Sequence, residues 1–349
     1  MSDFAIVVPV GHYDPRLATA FNSLQMQDVA INVVLMDASA DPRTTEVADK
    51  FDELFWKRCH EADEGQADAI GKGWETAPGK YVGWLNADDA LLPGALNKVQ
   101  AAFEAEQSTQ VVTGQSTIVD SSERFTGFHR TVKPVSPNLL RGNTISQPSC
   151  FVRREALQAV GGIDRTLHYT MDWDLWIRLY EAGVSFHHID APLSRVLMGA
   201  ETKTAEFTRK RRSEIWKLVR RNHSCFTAFK TTTGFLLEHL KAASPVITPL
   251  ISGLFPVADD RLYFEASHCE TVPLLNLAQD KPESIIIQWQ SLTPDAKLEY
   301  TVNGVTCPVQ QAHNEHIISL RQDISMNAVL ELEIRCALGK AQLAWLKLQ

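Results

Sequence analysis

Two adjacent carboxylates, Asp88 and Asp89, stand in KYVGWLNADDALLPGAL, residues 80–96, where an apolar strand pattern gives way to a helix start. Neighbouring like charges repel, and a loop that only had to turn would be better served by Asn-Gly or Pro-Asp. A cation is the partner such a pair lacks. Asp37 closes a second strand pattern in VVLMDASADP, and Pro9 and Val10 close a first in FAIVVPV. Between them and the acidic pair lies DEGQADAIGKG, residues 63–73, where glycines alternate with carboxylates ahead of a helix. One Asp at a strand end reads as a helix cap. Three separate acidic strand ends suit a hard cation and, through it, a diphosphate.

The elements that must position these groups follow from periodicity. From residue 4 to about 190, short apolar runs alternate with helical patterns over 14–27, 64–76 and 93–106. That alternation predicts a doubly wound α/β fold with a mostly parallel sheet flanked by helices, in which ligands gather at the carboxyl ends of the strands. From about 258 the pattern changes to period two: in VLELEIR, Leu330, Leu332 and Ile334 face one way and Glu331, Glu333 and Arg335 the other. Asn303-Gly304 adds a hairpin signal. The expected division is an α/β domain over 1–204, a helical extension and connector over 205–257, and a small antiparallel β-sandwich over 258–349.

Composition narrows the function. A chain of 349 residues exceeds the usual single domain, and its net charge of −8 argues against nucleic acid as the main partner. The six cysteines lack paired spacing, so neither a zinc site nor a disulfide framework is expected, and reduced core positions are expected for most of them. G-x-G-x-x-G does not follow the first strand, and no G-x-x-x-x-G-K-[ST] loop occurs. MSDFAIVVPV lacks a basic leader, which predicts a cytoplasmic chain. The apolar stretch 242–258 contains three prolines and is too short to span a bilayer, so it reads as a connector. Residues 208–221 hold seven basic residues against one acid, with Ile215, Trp216, Leu218 and Val219 as an apolar stripe. This reads either as a solvated helix packed on the first domain or as a peripheral contact with anionic lipid on the cytoplasmic face of a membrane.

IVVPV, VVLMDASAD, DEGQADAIGKGWETAPGKYVGWLNADD and QPSCFVRREALQAVGGIDRTLHYTMDWDLWIRLYEAG stand in an order and spacing that resembles the family 2 glycosyltransferases of GT-A fold, over about residues 3–200. The resemblance implies a nucleotide-diphosphate sugar donor, UDP-linked by preference. Pro9, Val10, Asp37, Asp63, Asp68, Lys72, Asn86 and Asp88 would then bind it, with Asp37 and the Pro9 loop at the base and Asp68 and Asp88 near the nucleoside. Asp89, with Asp88, would hold Mn²⁺ or Mg²⁺ against the diphosphate. Asp172 resembles the family's catalytic aspartate, which takes a proton from the acceptor hydroxyl in a single inverting displacement. Its helix N-terminus predicts an ionised carboxylate; the alternative role is a helix cap. Gln147, Pro148 and Trp173 would line the side of a glycan or lipid-linked acceptor; for Gln147 and Pro148 the other reading is a turn before an edge strand.

The sequence also departs from the family's pattern. Asn86 replaces the first carboxylate of the metal motif, and Gly71 stands where Asn is frequent. SRVLMGAETKT, residues 194–204, has no diphosphate-binding histidine, leaving Arg195 or Lys203 as candidate substitutes. Absence of Q-x-x-R-W predicts a non-processive enzyme. Two other classes compete: a sugar nucleotidyltransferase, which would want a glycine-rich basic first loop that VPVGHYDPR does not supply, and a catalytically silent carbohydrate- or partner-binding protein.

Overall fold

The seven residues Phe4–Val10 (β1) are all buried, as an apolar run must be when both faces of a sheet are covered. Their side chains alternate between two cores. Ala5 and Val7 join Ile70, Trp74 and Trp176 on one face, while Phe4, Ile6, Val8 and Val10 join Leu17, Phe21 and Phe103 on the other. The computed structural model describes residues 2–129, 131, 137–199, 208–243, 262–276, 282–321 and 329–349.

Strand β2 (Ile31–Asp37) pairs parallel with β1, placing Val10 opposite Asp37, and β3 (Phe55–His60) pairs parallel with β2, placing Asp37 opposite His60. Strand β4 (Tyr81–Trp84) lies parallel on the other side of β1. Helices α1 (Leu17–Gln25), α2 (Pro42–Asp49) and α3 (Gln66–Thr76) fall between these strands in the chain. The carboxyl ends of β1, β2 and β3 are therefore level, as the sequence predicts for a ligand-binding edge.

Next come β5 (Ala90–Leu91), α4 (Ala95–Ala105), β6 (Val111–Val119), β7 (Phe125–His129), β8 (Cys150–Arg153), α5 (Arg154–Ala159), α6 (Met171–Glu181), β9 (Phe186–Leu197), α7 (Arg209–Asn222) and α8 (Cys225–Ala243). Strand β8 runs antiparallel to both β4 and β6, which makes the sheet mixed but mostly parallel. No helix among the described residues is long and apolar enough to cross a membrane.

The chain divides into two compact units, and the boundary differs from the expected one. Residues 117–129 and 195–197 group with 259–349 rather than with the first 204 residues. The reason is hydrophobic: Phe125 and Phe128 are buried in the same core as Phe264, Trp289 and Leu346. This unit contains the expected antiparallel sandwich. One sheet has the order β11 (Cys269–Leu275), β17 (Val329–Leu338), β13 (Lys297–Val302), β14 (Val305–Thr306). The other includes β15 (Val309–Ala312), β16 (Glu315–Ser319), β12 (Ser284–Leu292) and β18 (Lys340–Leu348), with β10 (Tyr263–Glu265) on β18. Asn303 and Gly304, at φ 50° and 77°, make the β13–β14 hairpin turn. The expected connector over 242–258 lies almost wholly outside the described residues. All six thiols are free, with Cys150, Cys307 and Cys336 buried, Cys59 half-buried, and Cys225 and Cys269 exposed.

Helix α3 approaches β1 closely because position 73 is glycine: a Cβ there would meet Val7 Cγ1 and Cγ2 at 2.6 Å. Val7 is fully buried and has nowhere to move. Gly73→Ala should therefore destabilise the protein by about 1–3 kcal/mol, the scale of core overpacking. Denaturant unfolding checks this, and Val7→Ala added to the same chain should recover part of the loss.

Candidate active site

Asp37 ends β2 in a buried position where both carboxylate oxygens have partners. Its Oδ1 accepts from the Ser39 amide at 2.9 Å and from Ser39 Oγ at 2.6 Å, and His60 Nδ1 lies 3.0 Å from Oδ2. Ser39 follows from the Asx turn that an Asp-x-Ser sequence favours, and His60 from the parallel register of β2 and β3. Pro9 and Val10 face the core, so what they offer a ligand is the chain leaving them; the Val10 carbonyl already accepts from the Ala38 amide at 2.9 Å.

The N-terminus of α3 gathers a second group. Asp63 accepts from the Gly65 amide at 2.9 Å. Asp68, buried on the first turn, pairs with Lys72 at 2.8 Å and lies 3.5 Å from Arg165. The Lys72 hydrogen bond outweighs burial and holds the Asp68 carboxyl below its ordinary range. Arg165 also bonds Glu75. It fills the space over Gly71, where a Cβ would come within 2.5 Å of its Nε; this is the physical basis of the glycine at 71.

The centre is the turn after β4. Asn86 Nδ2 donates to Asp89 Oδ2 at 3.0 Å and to Gln147 Oε1 at 3.2 Å, while its Oδ1 accepts from Gln66 Nε2 at 2.7 Å. Gln147 Nε2 donates in turn to the Trp84 carbonyl at 2.9 Å. Asp89 is buried; Asp88 is half-buried, and burial, followed by the negative charge of Asp14, pushes its carboxyl up. Arg16, paired with Asp14 at 2.9 Å, and His12 act in the opposite direction. A carboxylate held at unfavourable cost beside another is a donor set a divalent cation would relieve, and such an ion asks for only one or two protein carboxylates when a diphosphate supplies the rest. No group of three or more His, Cys, Asp or Glu side chains with ligating geometry occurs among the described residues.

The loop that brings Gln147 to this centre also reaches Asp172. Asn143 Nδ2 donates to Asp172 Oδ2 at 2.7 Å. Residues 143 and 147 are four apart, a span of at most about 14 Å. Four buried hydroxyls hold the loop: Ser116 Oγ lies 2.5 Å from Ser146, 2.9 Å from Ser149 and 2.6 Å from Ser194. Pro148 is buried in the short turn Gln147–Ser149 that leads into β8. Trp173 is likewise buried, donating from Nε1 to the Leu139 carbonyl. Arg195 lies in the second unit and pairs with Glu123, and Lys203 lies outside the described residues.

Asp172 occupies the second position of α6, and the N-cap is Thr170, so Asp172 does not cap the helix in the N-cap position. The approach to α6 is capped from another helix. Glu214 of α7 accepts from the amides of Tyr169 at 2.8 Å and Thr170 at 3.2 Å. Asp174, buried, is structural: it accepts from Arg178 at 2.7 Å and from Arg221 at 2.6 Å. The carboxyl of Asp172 is enclosed although the residue as a whole is half-buried, and this burial pushes it up. The Trp173 amide, Asn143 and Arg211 pull it back without cancelling the effect. The helix N-terminus thus does not set the direction expected from sequence, because desolvation outweighs it.

Residues 5–160 match the family model described as Glycosyl transferase family 2. A stretch of 135 residues is 33% identical to the O-antigen biosynthesis protein RfbC of Myxococcus xanthus, covering 38% of this chain and 10% of that protein. Over 182 residues the chain is 24% identical to a PGL/p-HBAD biosynthesis glycosyltransferase of Mycobacterium bovis, covering 51% of this chain and 69% of the relative. In fold it is similar to S. aureus TarS in complex with UDP-GlcNAc, with a TM-score of 0.52 and 14% identity over 68% of this chain and 73% of the other. Residues 5–160 thus carry a family 2 glycosyltransferase domain. Its architecture is GT-A.

A carboxyl whose folded pKa is raised binds its proton more tightly folded than unfolded. It supports the fold at low pH and opposes it once ionised. Asp172→Asn should therefore melt at the same temperature as the parent or a few degrees higher at neutral pH. The gap should narrow as the pH is lowered towards the ordinary carboxyl value of 3.8. Thermal melts across that range check the sign.

Proposed function

We propose that the chain is an inverting, non-processive glycosyltransferase that moves a sugar from a nucleotide-diphosphate donor to a hydroxyl of a glycan or lipid-linked acceptor in surface polysaccharide or glycolipid synthesis. The observation that carries this reading is the continuity of one loop: Gln147 joins the Asn86–Asp89 centre and Asn143, four residues earlier, joins Asp172. A uridine nucleotide is the first choice, as in the TarS complex. The biosynthetic setting is that of the named relatives.

In this reading Asp37, ordered by Ser39 and His60, receives hydrogen bonds from the base at the end of β2. Asp88 faces the ribose, and Asp89, oriented by Asn86, is the principal metal ligand with Asp88 beside it. Mn²⁺ or Mg²⁺ bound there would neutralise the departing nucleoside diphosphate. Asp68 keeps Lys72 and Arg165 at the α3 terminus, where their positive charge favours the donor's phosphates. Gln147 stands between the donor corner and the acceptor. Asp172 accepts the proton of the attacking hydroxyl; its enclosed carboxyl is a stronger base than an exposed one, and Asn143 fixes which oxygen is turned away.

Release of free nucleoside diphosphate from a panel of sugar donors tests the reading; no release from any donor with glycan or lipid-linked acceptors present would favour a silent binding protein. UDP or GDP should raise the melting temperature only with Mn²⁺ or Mg²⁺ present, and Asp89→Asn should remove that effect while leaving the unliganded melt unchanged. Stabilisation that survives excess chelator would exclude the metal role. Asp172→Asn should lower turnover by about 10²-fold or more with donor affinity unchanged, as loss of a general base does.

A further inference from the structure

Helix α7 buries Ile215, Leu218 and Val219 in the core of the first unit. Its other side carries Arg209, Lys210, Arg212, Lys217 and Arg220, all exposed. On α8, Phe226 and Phe229 are 75% and 61% exposed, three residues apart on one helical face, with Lys230 exposed beside them. An open groove between the two helices is lined by Arg209, Arg212, Trp216, Phe229, Thr233 and Leu236. Cations and solvent-facing aromatic rings are thus concentrated on one surface of a protein whose net charge is −8.

Each component has a lipid counterpart. Guanidinium and ammonium groups attract anionic headgroups at roughly 1 kcal/mol each near a membrane surface, and bidentate Arg matches phosphate geometry. Aromatic rings seat at the boundary between headgroups and chains. Helix α7, which carries most of these cations, is also fixed to the helix bearing Asp172. Glu214 takes the amides ahead of α6, Arg221 bonds Asp174 at 2.6 Å, and Arg211 lends its charge to the surroundings of Asp172.

We infer that α7 and α8 form a docking surface for an anionic phospholipid layer, which holds α6 at a fixed setting towards an acceptor carried in that layer. The second clause rests on the proposed role of Asp172; the docking does not.

Co-sedimentation of the full chain with vesicles tests it. Binding is expected to phosphatidylcholine vesicles containing phosphatidylglycerol, to fall as salt is raised, and to be absent with phosphatidylcholine alone. The exposed double variant Arg209→Glu/Arg212→Glu should weaken binding by about tenfold or more, and Phe229→Ser should weaken it without altering its salt dependence. Both variants should melt as the parent does and release nucleoside diphosphate normally with a soluble acceptor, which separates failed docking from failed chemistry. No binding to anionic vesicles, equal binding to neutral ones, or binding indifferent to both variants would overturn the inference. So would full competition by inorganic phosphate at matched charge, which would mark a small-anion site instead; retention of an acidic peptide but not of vesicles would assign the surface to a protein partner.

Discussion

The site depends on a neutral amide at position 86. A carboxamide donates from one end and accepts at the other, and Asn86 uses both: Nδ2 serves Asp89 and Gln147, and Oδ1 receives Gln66. A carboxylate there could accept from Gln66 but could donate to nothing, and would stand within hydrogen-bonding distance of the buried Asp89 oxygen. Through that one group α3, the turn after β4 and the loop before β8 are hydrogen-bonded to one another. What sequence comparison reads as a missing acid is, in the fold, the group that donates to the buried Asp89 carboxylate.

Rigidity around the centre comes from hydroxyls and glycines rather than from charge. Ser116, Ser146, Ser149 and Ser194 satisfy one another while buried, and because Ser116 contacts the other three, its loss would remove the hydroxyl partner of Ser146. On the opposite side, Gly73 lets α3 sit directly on Val7, so that Gln66 and Asp68 at its start are held at a fixed height above β1. Preorganisation of this kind keeps polar groups aimed at the place where charge develops without reorganising at the moment of reaction.

Much of this was legible in the sequence because strong periodicity and parallel-sheet topology are local signals. FAIVVPV, INVVLMD and VLELEIR became strands, and Asn303-Gly304 became a turn, for reasons contained within each segment. Long-range partners were not legible. His60 meets Asp37 only through strand register, Asn143 meets Asp172 across 29 residues, and Glu214 caps α6 from a helix whose basic composition draws attention away from its one acid. Trp173, adjacent to Asp172, turns into the core, since neighbours on a helix point in different directions. The hairpin at 117–129 left its expected domain because its aromatic residues find their core among strands far downstream.

Gly71 and Arg165 are coupled in one direction: Arg165 can shorten while residue 71 stays glycine, but a side chain at 71 requires the guanidinium to move. An asparagine at 71 would bring its Cβ against the guanidinium, which would have to shift from its present place beside Asp68 and Glu75. Homologous chains that carry a larger residue at the first position should therefore carry a shorter one at the second. The intermediate with both large side chains would be selected against on steric grounds alone. Divergence at this corner would then proceed through the small-small combination, and the order of the two substitutions is fixed by geometry before any demand of catalysis is considered.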